Sequence, residues 1–246
     1  FQEIQSALGN KMISLGLNEA LSYALIPEDA VNKYTVNEFE HINLADPMSE
    51  DRKTLRYSLL YSLEQIYLYN KARNNKDVCI FEMGKGFFKE DGIYKEDLKL
   101  AGLMTGDYYL DITNSKVDFY VVKGVVEELL DYLGFGGRYS FVTGEVPNEL
   151  HPGQSARIIL QGKEVGIIGK LHPNALKDNV YVFEINLEKL LKNHPSRMTY
   201  KDIPKFPSIS KDIAFILDKE ITAGEVMATI KKAGGKLLQS ISVFDV

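Results

Sequence analysis

Residues able to do chemistry are few in this sequence and widely spaced. Of the four histidines, His41, His151, His172 and His194, none lies three or four residues from another. Cys79 is the single cysteine, so no sequence-local metal cage exists and no metal ligand is assigned. Three of the histidines precede proline, at His151-Pro152, His172-Pro173 and His194-Pro195, which is the setting of a turn residue. A nucleophilic Cys79 would need an exposed, electropositive site, but its neighbours are Val78, Ile80 and Phe81, so it reads as a buried structural thiol. Gly84-Lys85-Gly86 is too short for a dinucleotide fingerprint or a P-loop. Gly134, Gly136 and Gly137 follow a helical pattern instead of opening one, the wrong end of the helix dipole for an anion. Glu127 with Glu128, or Asp111 with Asp118, could be paired on paper as acid and base, yet charges opposite a strong apolar stripe are ordinarily solvated. No catalytic residue is assigned.

The elements that would position any site are legible from periodicity. Ile4, Leu8, Met12 and Leu15 form an apolar helical stripe over residues 2–15, stopped by Gly16-Leu17. Ala20 to Ile26 reads as extended, Glu40 to Ala45 as a short strand closed by Asp46-Pro47, and a second helix follows Ser58. Val78 to Phe81 reads as a central strand buried on both faces, and Asp91-Gly92 as a tight hairpin leading to the strand Leu98 to Met104. The clearest helix carries Phe119, Val122, Val126, Leu129, Leu130 and Leu133, capped by Asp118 and stopped by Gly134. Ala156 to Leu160 and Val165 to Ile168 flank the hairpin Gln161-Gly162, and Tyr181 to Ile185 is a further strand. Helices mixed with hairpins in this way predict an α+β fold on a mainly antiparallel sheet.

Pro195, Pro204 and Pro207 interrupt the pattern between His194 and Lys211, marking a domain boundary. Beyond it, Ile213 to Leu217, a helix opened by the capping box Thr222-Ala223-Gly224-Glu225, and Leu237 to Phe244 predict a β-α-β unit. Such a lone unit leaves a sheet edge unpaired, which predicts a domain cut short.

Composition bounds the function classes. With 246 residues, 45% hydrophobic and 26% charged, the chain is of ordinary globular composition. No run approaches the ~18 apolar residues of a bilayer span, and the start lacks the layout of a signal peptide, so no membrane partner is expected. One cysteine fits a reducing compartment, so a cytoplasmic location is expected. The net charge of −5 argues against a protein that coats nucleic acid over its whole surface. Locally, Lys189, Lys192, Arg197, Lys201, Lys205 and Lys211 face only Asp202, which reads either as a solvated linker or as a basic patch.

Two stretches carry a family resemblance. The first runs Ile42-Asn43-Leu44-Ala45-Asp46-Pro47-Met48-Ser49-Glu50-Asp51-Arg52, then Leu55-Arg56 and Leu59-Leu60, then Phe81-Glu82-Met83-Gly84-Lys85-Gly86-Phe87. The second is Phe206-Pro207-Ser208-Ile209-Ser210-Lys211-Asp212-Ile213-Ala214-Phe215, followed by Gly234-Gly235 and Phe244-Asp245-Val246. Between them lie His151-Pro152-Gly153-Gln154-Ser155-Ala156 and Gly166-Ile167-Ile168-Gly169-Lys170-Leu171-His172-Pro173. In this order the motifs resemble bacterial-type phenylalanyl-tRNA synthetase β subunits over nearly the whole chain. Asp46 stands for the family's Asn, Tyr61-Ser62 for Pro-Gly, and Lys211 for Arg, which keeps the charge but loses the forked donor.

The resemblance implies a non-catalytic class II synthetase-like core on residues 1–195, a linker on 196–211, and the first half of a ferredoxin-like anticodon-binding domain on 212–246. It implies a role in aminoacylation as a subunit of phenylalanine–tRNA ligase, in an α2β2 heterotetramer whose α subunit carries the catalysis, with tRNA(Phe) as RNA partner. Class II activation uses forked arginines on the phosphates of ATP. In the motif-2-like hairpin Gly84 to Asp91, Phe88 falls near the arginine position, and no Gly-rich segment ending in Arg follows before the boundary. ATP and Mg are therefore expected in the holoenzyme and neither on this chain. The editing module and the metal-sharing acids of the family are expected upstream of the first residue. Lys201, Lys205 and Lys211 become candidates to face tRNA, and Ile4, Leu8 and Met12 candidates to contact the α subunit, the alternative being that this stripe packs on the chain's own sheet. Two rival functions are a core that activates an amino acid itself and a free-standing tRNA-binding module.

Overall fold

The first helix shows how directly local sequence sets local structure. Helix α1 (Gln2–Ser14) ends where Gly16 adopts φ 83°. The Leu17 N–H then reaches back to the Met12 carbonyl at 3.2 Å and the Gly16 N–H to the Ile13 carbonyl at 2.9 Å, closing the last turn. Leu8 and Met12, one turn apart, are fully buried beneath it. The computed structural model describes residues 2–36, 39–108, 115–193, 200, 205–218 and 220–244. The chain divides into two compact units, Phe1–Met198 and Thr199–Val246.

The first unit is built on strands β1 (Asn18–Glu19), β4 (Val78–Glu90), β5 (Ile93–Thr105), β6 (Tyr139–Val142), β7 (Leu150–Leu160), β8 (Lys163–Leu171) and β9 (Tyr181–Asn186). They form one seven-stranded sheet in the order β1-β4-β5-β9-β8-β7-β6, antiparallel throughout except for the parallel pair β1–β4. Two-residue strands β2 (Leu25–Ile26) and β3 (Thr54–Leu55) pair separately. The long β4–β5 hairpin turns at Asp91 (φ 52°) and Gly92 (φ 77°), and β7–β8 turns at Gln161 (φ 51°) and Gly162 (φ 79°). Two consecutive positive φ values are what a two-residue turn matched to the strand twist requires. The predicted mainly antiparallel α+β fold is what forms.

Alternation along the strands separates two cores. On one face Phe81, Leu100, Met104, Phe183 and Ile185 pack with α1 and with α3 (Phe119–Tyr132). Asp118 caps α3 by accepting the Val121 N–H at 2.8 Å. On the other face Val78, Ile80, Ala101, Leu103 and Val182 pack with α2 (Leu60–Lys71). A short helix α4 (Leu187–Leu191) continues from β9, with Asn186 as its cap.

Some expected strands are smaller or absent. Of the extended run Ala20 to Ile26 only Leu25–Ile26 (β2) forms a strand, and Glu40 to Ala45 contributes isolated bridges to Lys89 and Thr54 instead of a strand. In the second unit α5 (Ala223–Gly234) forms with its reciprocal Thr222–Glu225 capping box and Gly235 (φ 53°) at its end. Ile213 to Leu217 and Leu237 to Phe244, expected as strands, form no ladder among the described residues. In a split β-α-β arrangement these two strands are not neighbours: each pairs with a strand lying between them, and residues 212–246 contain only the flanking two. Without ladder partners, Phe215, Ile216 and Phe244 stand exposed.

Candidate functional site

The most polar place inside the first unit lies on the α2 face of the sheet. Alternate residues of β4 on that face run Val78, Ile80, Glu82, Gly84, Gly86 and Phe88, passing from apolar to charged to bare to aromatic. Beside them β5 presents Leu103, Ala101, Lys99, Asp97 and Lys95, in register Glu82↔Ala101, Gly84↔Lys99, Gly86↔Asp97 and Phe88↔Lys95. Next, β9 presents Val182, Glu184 and Asn186, with Ala101 opposite Glu184 and Lys99 opposite Asn186. The upper part of this face is covered by α2 and the lower part by the segment Arg56 to Leu59.

That segment lies directly on the strands because two side chains are missing beneath it. A Cβ on Gly86 would stand 2.1 Å from the Tyr57 carbonyl oxygen, and one on Gly84 would stand 2.5 Å from Arg56 Nη2. The Phe87 N–H donates to the Arg56 carbonyl at 2.8 Å, and the Arg56 N–H to the Ala24 carbonyl at 2.9 Å, fixing the segment at both edges.

The charges under it form two closed pairs. Arg56, 3% exposed, meets Glu82, 2% exposed, at 2.8 Å. The Arg56 fork also donates to Ser22 Oγ (2.5 Å), Ser62 Oγ (3.4 Å) and the Lys85 carbonyl (3.4 Å). Ser22 Oγ in turn donates to Glu82 at 2.6 Å. In the second pair, Lys99 donates to Glu184 at 3.0 Å, while the other carboxylate oxygen of Glu184 accepts from Ser58 Oγ (2.9 Å) and the Leu59 N–H (2.7 Å). The Lys99 ammonium also lies 3.6 Å from the centroid of the Tyr57 ring. Burial, reinforced by the Glu184, Asp97 and Glu164 carboxylates, holds the Tyr57 phenol far above its ordinary range. Buried charges survive only when paired and hydrogen-bonded, and here the partners are all internal.

Toward the turn end of the hairpin, aromatic rings replace charge. Tyr57 stacks on Phe39 with centroids 4.1 Å apart, and Phe88 meets both edge-on, at 5.6 Å from Tyr57 and 5.9 Å from Phe39. The residues of this face do not fit a nucleotide phosphate: Arg56 and Lys99 carry suitable charge, but each is committed to a carboxylate and covered.

The remaining chemical candidates resolve locally. Burial pushes the Cys79 thiol up to about 11, so little thiolate exists near neutral pH. The Nδ1 atoms of His151 and His172 accept the N–H groups of Gly153 (3.0 Å) and Asn174 (3.1 Å), each across its His-Pro turn. Among the described residues no cluster of three or more His, Cys, Asp or Glu could hold a metal ion, and no helix is long and apolar enough to cross a membrane.

The interface and RNA candidates separate by burial. Leu8 and Met12 are fully buried in the chain's own core and present no surface to a partner, because their turn of α1 faces the sheet and α3. Ile4 and Ile13 are exposed at 39% and 56%, and beside Ile13 a groove of about 380 Å³ is lined by Gln5, Ser6, Gly9, Asn10, Glu19 and Met83. Lys205 and Lys211 are exposed, and Lys201 lies outside the described residues. Motif reading missed the two buried ion pairs. The signal was present: Glu82, Lys99 and Glu184 each interrupt an otherwise apolar strand, and a charge there needs a partner.

Comparison with known proteins gives this arrangement a lineage. The family model described as phenylalanyl tRNA synthetase beta chain CLM domain matches residues 1–187, and that of the ferredoxin-fold anticodon binding domain matches residues 204–246. Phenylalanine–tRNA ligase beta subunits from Staphylococcus saprophyticus and Bacillus subtilis are 39% and 40% identical over 240 residues, 94% of this chain. The chain spans about 30% of the length of each. Among solved structures, a pyrrolysyl tRNA synthetase of Desulfitobacterium hafniense superposes with a TM-score of 0.57 at 19% identity, over 77% of this chain and 67% of that one. That likeness establishes the class II synthetase fold expected for the core. With both family models matched in order along its length, the chain belongs to the phenylalanyl-tRNA synthetase beta chain family.

Proposed function

We propose that this chain is the non-catalytic, synthetase-like portion of a phenylalanine–tRNA ligase β subunit, supporting assembly with a catalytic α subunit and binding of tRNA(Phe) during ATP-dependent aminoacylation. The observation that carries the reading is the closed sheet face at the motif-2-like hairpin. Adenylate formation needs forked donors free to meet charge developing on a phosphate. Here Arg56 is engaged by Glu82, Lys99 by Glu184, and the hairpin end is packed with Phe39, Tyr57 and Phe88. ATP and Mg then act on the α subunit, in an α2β2 heterotetramer located in the cytoplasm. The exposed Ile4, with Ile13 in the α1 groove, supplies the contact with α, and Lys201, Lys205 and Lys211 supply charge toward tRNA.

The test is assembly. In the full-length β subunit, Ile4→Asp with Ile13→Asp is expected to reduce co-purification with α at least tenfold while leaving β folded. Undiminished assembly would remove α1 from the interface. Lys205→Glu with Lys211→Glu is expected to weaken tRNA binding and spare phenylalanyl-adenylate formation by the holoenzyme.

A further inference from the structure

At the end of α2 the surface changes character. Residues 71–77 are exposed without interruption, and within 69–76 the chain carries Lys71, Arg73 and Lys76 with no acid, against a net charge of −5 for the whole sequence. The turn is ordered and not a loose tail. The Arg73 N–H donates to the Asn70 carbonyl (2.9 Å), the Asn74 N–H to that of Lys71 (3.0 Å) and the Asn75 N–H to that of Asn70 (3.1 Å). Asn75 Nδ2 also meets Asn70 Oδ1 at 3.2 Å, and Asn74 takes φ 63°. Tyr69, 59% exposed, lies under the Arg73 guanidinium, whose carbon is 3.3 Å from the ring centroid while Nη1 donates to the Tyr69 carbonyl at 3.0 Å. A guanidinium held over an exposed tyrosine in this way is a preformed stacking platform.

The neighbouring acids are turned to other tasks. Asp178 pairs with Lys71 and accepts the Tyr67 hydroxyl at 3.0 Å, and Asp77 Oδ1 accepts the Asp107 N–H at 2.9 Å. Lys177 is the chain neighbour of Asp178, which the Lys71 pair ties to the end of α2. Arg73, Lys76 and Lys177 pair with no carboxylate among the described residues. The result is a cation–aromatic stack, Arg73 on Tyr69, at an exposed turn that also carries Lys76 and the amides of Asn74 and Asn75, with Lys177 beside the residue that pairs with Lys71. None of the family motifs quoted above includes these residues.

We infer that this edge, Tyr69, Arg73, Lys76 and Lys177, is an RNA-docking site, taking phosphates on its lysines and an unpaired base or sugar on the Arg73–Tyr69 stack. Polyanionic phosphate matches the charge, and the stacking surface suits a single-stranded or looped segment better than an acidic protein face. The inference rests on the proposal that the whole protein acts on tRNA, and it adds a contact on the synthetase-like unit, apart from Lys201, Lys205 and Lys211.

The experiment uses the full-length β subunit assembled with α and a tRNA(Phe) transcript, with binding read by fluorescence anisotropy across a salt series. Arg73→Gln with Lys76→Gln and Lys177→Gln is expected to lower affinity and to flatten the slope of log affinity against log salt by about 2, since each lost phosphate contact removes roughly 0.7–0.9. Tyr69→Ala alone is expected to cost roughly tenfold in affinity with little change in slope, as loss of one stacked base does. Phenylalanine-dependent pyrophosphate exchange stays at the wild-type rate in both. If the wild type binds tRNA and the variants match it in affinity and slope, the inference falls while the proposed function stands. If the wild type binds no tRNA, both fall. Failure of the triple variant to assemble with α would make the edge a protein contact and overturn the RNA assignment.

Discussion

Removing Arg56 alone leaves Glu82 buried and charged with only Ser22 as a side-chain partner. Arg56 makes four side-chain contacts, to Glu82, Ser22, Ser62 and the Lys85 carbonyl, at 2.8, 2.5, 3.4 and 3.4 Å. Breaking a buried pair from one side typically costs about 3–5 kcal/mol, most of it the penalty of the stranded charge. Arg56→Met is therefore expected to destabilise the first unit by about 4 kcal/mol, and Glu82→Leu by a similar amount. The double variant removes both charges and keeps apolar volume under the Tyr57 segment. Its loss should be about 1–2 kcal/mol, chiefly from the orphaned Ser22 and Ser62 hydroxyls. The cycle then returns a coupling of about 6–7 kcal/mol, above the ~0.5–3 kcal/mol usual for contacting residues because each single variant strands a buried charge. Urea unfolding reads this directly: with slopes near 2 kcal/mol/M, each single variant moves the midpoint down by about 2 M and the double by less than about 1 M. Additive losses, or single variants within about 1 kcal/mol of wild type, would refute the description of this face as a closed electrostatic plug.

Gly86→Ala should act through backbone displacement, because the new methyl would meet the Tyr57 carbonyl oxygen at 2.1 Å. A loss of about 1–3 kcal/mol, with faster hydrogen exchange at the Phe87 amide that bonds Arg56, is the expected result. Leu8→Ala should cost about 2–5 kcal/mol and Ile13→Ala less than about 0.5 kcal/mol in the free chain, measured by urea unfolding, because only Leu8 is buried. Burial raises the Glu64 pKa, opposed by the Tyr34 hydroxyl that donates to it at 2.9 Å. A raised folded pKa contributes stability in full below the ordinary carboxylate value and loses it as pH rises through the folded value. Glu64→Gln should therefore gain relative to wild type as pH rises above the ordinary carboxylate range, and a difference independent of pH would contradict the assignment.

Much of the fold was legible because local and tertiary demands agree. Asp91-Gly92 and Gln161-Gly162 announce hairpins since both positions need positive φ, and Asp118 and Thr222 announce helix starts since their oxygens meet orphan N–H groups. Strand lengths were less legible: β4 runs on through Gly84, Lys85 and Gly86, which carry no apolar signal, because it is held by its register with β5. Ile213 to Leu217 reads as a strand by composition, but a strand exists only where a partner accepts its hydrogen bonds. Along α1 the stripe was visible while its audience was not: Leu8 and Met12 face the chain's own sheet and Ile4 and Ile13 face outward, a difference of tertiary packing that spacing alone does not encode. The site was hardest to see, because Arg56, Glu82, Lys99 and Glu184 lie far apart in sequence and meet only through strand register and the segment laid over Gly84 and Gly86.

On the function proposed, this synthetase fold forms no adenylate. The most direct measurement is phenylalanine-dependent ATP–pyrophosphate exchange by the purified full-length β subunit, alone and after addition of α. Background exchange is expected from β alone and full exchange once α is present. Phenylalanine-dependent exchange by β alone, abolished by a substitution at Arg56 or Lys99 that leaves the chain folded, would contradict it.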